Sequence, residues 1–227
     1  MTEVAAVLAE LHRLADPAYR ADMEPRYGIV APTALGVRMA DLKPLAKKLG
    51  RDHDLALALW DTGVFDARML AALVGDPARL TSGQMDLWRG DFDNWAICDT
   101  LCFDLFDRSP HAFAKIDQWA GLNDEFGRRA AFALLASVAL HAKKLPDAPF
   151  VERLPLIEGA AGDGRNFVKK GVNWALRAIG RRSPALNLAA TELAERLAAS
   201  KEASARWIGR DARKALLDPK LRSKLGL

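Results

Sequence analysis

Two tryptophans and one aspartate stand at spacings that suit the binding of a positive charge. Trp95 and Asp99 are four residues apart, so on a helix their side chains lie on one face, one turn apart. Trp174 occupies the place that corresponds to Asp99 in a later segment of similar pattern. Aromatic rings attract cations through their quadrupole, and a carboxylate adds a Coulomb attraction. Brought together, the three side chains would form a cage for a cation.

Cationic residues recur at a fixed distance from an aromatic residue in five windows of the chain. The windows are FDARMLAALV from Phe65, FDNWAICDTL from Phe92, FGRRAAFALL from Phe126, FVKKGVNWAL from Phe167 and WIGRDARKAL from Trp207. Three residues after the leading aromatic stand Arg68, Trp95, Arg129, Lys170 and Arg210, and seven residues after it stand Ala72, Asp99, Ala133, Trp174 and Lys214. The two offsets share a helix face, and stacking of repeated helix pairs would align them in rows along one surface.

These rows favour a DNA-binding surface over an ordinary solvated face. A single Lys or Arg on a helix is usually solvated surface, and a single Trp is usually core. A solvated face rarely carries two tryptophans, however, and a core does not carry a run of cations. Cations neutralise phosphates and release counterions, while aromatic faces lie against sugars or bases.

Asp99 indicates a function beyond binding, because a carboxylate repels the DNA backbone. Alkylation at N3 or N7 of a purine places a positive charge on the base and weakens its glycosidic bond. Departure of the base leaves an oxocarbenium-like sugar, which a neighbouring carboxylate stabilises in the transition state. The same carboxylate can orient or deprotonate the attacking water.

The elements that would position these residues are helices. Apolar residues recur at the helical period, whereas β-branched runs are scarce and alternation with a period of two does not persist. Turn signals recur between segments long enough for two helices, and several place Ser or Asp directly before Pro, which is typical of a helix N-cap. We therefore predict an all-α fold, a superhelical stack of helical repeats that forms a single curved domain over residues 1–227.

Composition permits a nucleic-acid partner and argues against several other classes. The chain has 33 Lys and Arg residues against 29 Asp and Glu, a net charge of +4 that allows a polyanionic partner. Cys98 and Cys102 lie one helical turn apart in an apolar stretch and are predicted to be core residues. No secretory signal or membrane span is evident, so we expect a cytoplasmic monomer without membrane contact.

No metal or cofactor is expected. The four histidines do not stand at the spacing of a metal site: His12, His53, His111 and His141. No glycine-rich loop of the kind that cradles phosphates is present either.

Three segments resemble the AlkD-like DNA alkylation repair glycosylases. They are the stretch from Asp91 to Asp99, the stretch Arg128-Arg129-Ala-Ala, and the stretch Lys170-Gly-Val-Asn-Trp174-Ala-Leu-Arg177. They occur in the family's order, and Tyr27 with the following Ala34-Leu35-Gly36-Val37 resembles the family's N-terminal segment. The resemblance runs from Tyr27 to Arg182.

This resemblance implies a superhelix of HEAT-like repeats that removes N3- and N7-alkylated purines from duplex DNA without flipping the lesion into a protein pocket. It implies a catalytic cleft around the lesion's sugar, formed by Trp95, Asp99 and Trp174. It also implies a DNA-backbone contact by Arg129 and supporting DNA contacts by Tyr27 and Arg177. Ala96 departs from the pattern, because an acidic residue often follows the first Trp in relatives.

Two alternatives to a glycosylase remain open. One is a DNA-binding repeat protein without catalysis that recognises damaged or distorted DNA. The other is a HEAT-type scaffold whose basic groove takes an acidic peptide. Asp99 favours the enzyme over the pure binder, and the two groove tryptophans favour DNA over the peptide. The preferred lesion stays open.

Overall fold

The computed structural model describes residues 4–227, and every regular element within that range is helical. The all-α prediction is therefore confirmed. The chain divides into two compact units between Pro110 and His111, and each unit is described by itself. The prediction of a single domain stays a prediction. Within the described range no helix is both long enough and apolar enough to cross a membrane.

The first unit contains seven α-helices within the described residues, followed by a short 3₁₀ turn at Phe106–Arg108. The helices are α1 Val4–Arg13, α2 Pro17–Tyr27, α3 Met39–Leu49, α4 His53–Asp61, α5 Phe65–Val74, α6 Ser82–Gly90 and α7 Trp95–Asp104.

Helix α5 forms the centre of the first unit and packs against α3, α4 and α7. Its apolar residues are almost fully buried, which explains why this stretch has little amphipathic character. Beside it, Trp60 stacks on Trp88 with ring centroids 4.5 Å apart, and Phe106 packs beyond Trp88. Cys98 and Cys102 are fully buried in α7, which confirms that they are core residues.

Asp66 holds the segment between α2 and α3 in place. Its carboxylate is buried and accepts hydrogen bonds from the backbone N–H groups of Leu35 (2.5 Å) and Val37 (2.7 Å). Between them Gly36 adopts a φ of 87°, and a Cβ atom there would collide with the carbonyl of Asp16. Burial raises the pKa of Asp66, while the two amide donors act in the opposite direction. The carboxylate thus ties a loop that has little other regular structure to α5.

The second unit consists of eight further helices. They are α8 Ala112–Trp119, α9 Glu125–His141, α10 Ala148–Val151, α11 Leu154–Ala160, α12 Asn166–Ile179, α13 Pro184–Ala198, α14 Ala203–Leu216 and α15 Pro219–Leu225.

Helix α12 lies in the middle of the second unit and packs against both α9 and α14. Helix α9 is buried along nearly its whole length. Helix α12, in contrast, buries one apolar stripe that includes Val168, Val172 and Leu176. The opposite stripe of α12 is polar and aromatic, and it carries three of the predicted site residues, Lys170, Trp174 and Arg177.

The predicted Ser-Pro and Asp-Pro helix starts are partly confirmed. Ser183 caps α13 and Asp218 caps α15, each followed by proline at the first helical position. The expectation was wrong at Asp76-Pro77 and Ser109-Pro110. The Asp76 carboxylate accepts from the backbone N–H of Ala78, which closes a local turn instead of starting a helix.

We predict that Asp66→Asn destabilises the protein by about 1–3 kcal/mol, because an amide has one acceptor oxygen for two buried backbone donors. Chemical unfolding would measure the change, and hydrogen exchange at Leu35 and Val37 would locate it. Asp41→Asn is the control, since Asp41 is exposed on α3. Equal stability of the two variants would contradict the role given to Asp66.

Candidate nucleic-acid interface

Trp95 and Asp99 lie one turn apart at the start of α7, and Asn94 determines where that helix begins. Asn94 is buried, and its side-chain oxygen accepts from the backbone N–H groups of Ala96 (3.0 Å) and Ile97 (3.1 Å). This cap makes Trp95 the first residue of the helix. Trp95 and Asp99 are both half-buried, whereas Ala96 is buried between them on another face. Trp95 and Asp99 thus lie one turn apart on one face of a helix, as their spacing predicts.

The end of α2 also contacts this turn. The indole N–H of Trp95 donates to the backbone carbonyl of Tyr27 at 3.0 Å. Tyr27 is exposed and lies beside Tyr19, with ring centroids 6.0 Å apart. Gly28 follows in the left-handed conformation that ends α2. The structure therefore brings together Tyr27 and Trp95, two predicted site residues that are distant in sequence.

Helix α12 presents three predicted residues on one face. Lys170, Trp174 and Arg177 are spaced by four and three residues and line a groove of about 490 Å³. Lys170 is exposed, and the other two are half-buried. Trp207 of α14 lines the same groove and is 40% exposed. An exposed tryptophan among cations is an arrangement that suits a nucleic-acid strand.

Helix α14 supplies the other wall of this groove. Arg210 and Lys214 are exposed on it, as predicted for a DNA-binding surface. Asp211 lies between them and accepts from the side-chain amide of Asn173 (2.7 Å) and the guanidinium of Arg177 (3.1 Å). Asp211 therefore orients Arg177 and compensates part of its charge.

Two predicted DNA contacts are occupied inside the protein. Arg129 is buried, with 6% of its surface exposed, and donates to the carbonyl of Phe167 at 2.6 Å. Arg68 forms an ion pair with Asp91 at 3.1 Å, and its guanidinium lies over the ring of Trp60. Both side chains hold neighbouring elements of their own unit together.

The five aromatic-led windows are not in one structural register. Trp95 is the first residue of α7, whereas Arg210 lies about two turns inside α14. Ala72 and Ala133, at the second offset, are completely buried. The shared offset therefore does not place all its members on one exposed row. The leading aromatics stand at different positions relative to their helix starts: Phe92 precedes α7, Phe65 begins α5 and Trp207 lies one turn inside α14.

Trp95 and Asp99 belong to the first unit, and Trp174 belongs to the second. Their convergence on one cleft stays a prediction. Among residues 4–227, no group of three or more His, Cys, Asp or Glu side chains is arranged to hold a metal ion.

Trp207 and Asp211 line the groove, although the sequence did not predict them as site residues. In the sequence Trp207 is the leading aromatic of the fifth window, a position that does not indicate exposure. Its exposure depends on how α14 packs on α12 and α13. The sequence around Asp211 does not indicate a site residue, because a single acidic residue among cations is common on an exposed helix.

Comparison with known proteins places these features in a family. A model of the DNA alkylation repair enzymes matches residues 7–216, most of the chain. No protein of curated function shows significant sequence similarity to the chain. A solved structure is similar, with a TM-score of 0.78 and 19% identity over 95% of this chain and 96% of that one. That structure is described as a member of a new family of proteins related to the HEAT-like repeat DNA glycosylases with affinity for branched DNA structures. The likeness confirms the predicted HEAT-like fold.

We predict that Asn94→Ala destabilises the first turn of α7 by about 1–2 kcal/mol, the usual cost of losing a side-chain N-cap. Chemical unfolding and hydrogen exchange at Ala96 and Ile97 would report the loss. Asn94→Ser retains a capping oxygen and serves as the control. Unchanged exchange at both amides in Asn94→Ala would show that the turn does not depend on this cap.

Proposed function

The chain belongs to the family of DNA alkylation repair enzymes, and from that premise we propose that it is a DNA glycosylase. Its proposed substrates are purines alkylated at N3 or N7 in duplex DNA. The observation that carries the proposal is the pair Trp95 and Asp99, one turn apart on one face of α7, at a helix start that is anchored by Asn94 and by the backbone of Tyr27. It combines an aromatic ring and a carboxylate at the spacing that stabilises a cation.

The proposed reaction breaks the bond between C1′ of the sugar and the purine nitrogen. The bonding electron pair leaves with the base, which thereby loses its positive charge and departs as a neutral molecule. The sugar becomes oxocarbenium-like, and the carboxylate of Asp99 stabilises this developing charge. Water then adds at C1′, and its proton passes to Asp99 or to solvent. The products are the free alkylated purine and an abasic site.

Trp174 is proposed as the opposite aromatic wall of the reacting site. It lies on α12 in a groove with Lys170 and Arg177, which can hold the phosphates on either side of the lesion. Arg210 and Lys214 extend this cationic surface along α14. The aromatic wall would contribute to binding of the cationic nucleotide before bond cleavage and to its stabilisation during cleavage.

Arg129 and Arg68 are proposed to act differently from the exposed cations. Each already has partners inside its unit, and so a DNA contact by either requires an exchange of partners or a shared hydrogen bond. We therefore assign the main backbone contacts to the exposed Lys170, Arg210 and Lys214. Arg177 joins them because its side chain stays 36% exposed beside Asp211, against 20% for Arg68. Tyr27 beside Trp95 is a further contact.

A second candidate function is DNA binding without excision. It is favoured by the similar structure, whose family is described as having affinity for branched DNA, and by the exposed ring of Trp207, which can stack on an unpaired base. Ala96 also departs from the acidic residue expected there in glycosylases of this kind. Release of free base, rather than DNA affinity, separates the two candidates.

Asp99→Asn is expected to slow excision of N7-methylguanine on the order of 10²-fold while leaving affinity for DNA equal or slightly higher. The carboxylate acts mainly on charge that develops in the transition state, so its loss affects the rate more than binding. Single-turnover release of the base from a duplex, measured by mass spectrometry with enzyme in excess, gives the rate. A titration with undamaged duplex gives the affinity.

Asp86→Asn, which alters another half-buried acid of the first unit, is the control for general effects of charge removal. Excision by Asp99→Asn at the unmodified protein's rate would refute the mechanism. Absence of base release by the unmodified protein, together with measurable DNA binding, would support the second candidate.

Trp174→Ala is expected to weaken both binding and excision, because an aromatic wall acts on the bound cation and on the developing one. Trp174→Phe, which retains an aromatic face, should recover part of both. The same two measurements apply, with a duplex that carries N7-methylguanine. A variant that lost only the rate, or only the affinity, would contradict this assignment.

A further inference from the structure

A large cationic cleft lies within the second unit, beside the groove of Lys170 and Trp174. Its volume is about 910 Å³, and its walls come from the end of α9 and from α12, α14 and α15. Six cationic side chains line it: Lys143, Arg177, Arg181, Arg182, Lys214 and Lys224. Only two carboxylates, Asp211 and Asp218, accompany them. The lining therefore carries a net charge of +4, as large as the formal net charge of the whole chain.

Both carboxylates of this α15 cleft are engaged in local structure. Asp211 accepts from Asn173 and Arg177. Asp218 caps α15 by accepting from the backbone N–H groups of Lys220 (3.0 Å) and Leu221 (3.1 Å). Neither forms an ion pair with the lysines of the cleft, so most of the positive charge is left without an anionic partner.

Arg182 forms the fixed base of the cleft. Its guanidinium donates to the carbonyls of Ala139 (2.8 Å), Ala142 (3.1 Å) and Leu145 (2.9 Å), at and beyond the end of α9. It also lies over the ring of Phe150, 4.0 Å from the centroid. These neutral partners position Arg182 without cancelling its charge.

The other cations of the cleft include three lysines and Arg181. Within the described residues Lys143, Arg181, Lys214 and Lys224 take part in no ion pair. The pKa of Lys143 lies below its ordinary value, chiefly because of partial burial and also because Arg182 and Lys224 repel its charge. An anion in the cleft would relieve this repulsion.

We propose that the α15 cleft binds backbone phosphates of duplex DNA that flank the segment held at Trp174. The cleft and the Trp174 groove share Arg177, Arg181 and Asp211, so one backbone can run from the first into the second. A run of phosphodiesters can contact cations on α12, α14 and α15 at once. The inference rests on the DNA binding in the proposed function but not on excision.

Helix α15 adds one wall of this cleft to the part of the chain that the family model matches. The family model ends at residue 216, and Lys224 lies beyond it. Backbone contacts of this kind carry no sequence information and instead fix the position of the protein on the duplex. The cleft would thus increase affinity for any DNA, damaged or not.

The test compares two double variants that remove the same charge from the same regions. Lys143→Gln with Lys224→Gln removes two cleft lysines, and Lys144→Gln with Lys220→Gln removes two exposed lysines that do not line the cleft. Affinity for a short undamaged duplex is titrated over a range of salt concentrations. Loss of two phosphate contacts should make the slope of log K against log salt less negative by about 1.8 for the cleft variant. The control should change it far less.

A charge-preserving double variant, Lys143→Arg with Lys224→Arg, should keep the original slope and guards against effects of misfolding. Equal slopes for the cleft variant and its control would overturn the inference. Binding of pyrophosphate that depends on Lys143 and Lys224, together with equal salt slopes for DNA in the cleft variant and its control, would also overturn the inference. The cleft would then be a site for small phosphates and not for DNA. Failure of excision in the unmodified protein, with the difference in slopes present, would count against the glycosylase proposal alone.

Discussion

The packing of α12 between α9 and α14 is the constraint on which the second unit depends. Gly171 of α12 faces Arg129 and Phe132 of α9, and a Cβ atom added there would make ordinary van der Waals contact with both. At the other side, Gly209 of α14 allows so close an approach to α13 that a Cβ atom would collide with the backbone around Ala194 and Ala198. In this packing, polar and aromatic residues of α12 and of α14 line the same groove. The positions of Lys170, Trp174 and Trp207 follow from this packing.

Charge is then divided between internal and external roles by burial. Arg129 and Arg182 are cations whose partners are backbone carbonyls, and these bonds join helices that would otherwise leave polar groups unsatisfied. Arg68 is balanced by a carboxylate of its own unit. Lys170 on α12, Arg210 and Lys214 on α14, and Lys224 on α15 are exposed instead. A chain with a modest net charge therefore still presents, on these helices, cations that a polyanion can reach.

Local rules predicted much of this structure from the sequence. Helical periodicity and the caps at Ser183 and Asp218 specified helices because their signals lie within a few residues. The Trp95 and Asp99 pair was predictable for the same reason, as spacing alone determines a shared helix face. The exposure of Trp207 and the burial of Arg129 were not predictable. Both depend on which helices pack together. The five aromatic-led windows also begin at different positions relative to the first residues of their helices, so a shared spacing did not predict a shared environment.

In the proposed glycosylase, the exposed cations and the carboxylate of Asp99 contribute two different kinds of free energy. The lysines and arginines interact with phosphates whose charge is the same before and during bond cleavage, so they stabilise the bound and transition states equally. Such contacts raise affinity and make it sensitive to salt. A half-buried carboxylate facing a charge that grows only as the bond breaks acts mainly on the rate, and its partial burial limits screening by salt. An enzyme built in this way should lose affinity as salt rises while the rate of its fully bound form changes little, and a protein that only binds DNA would have no second quantity to compare.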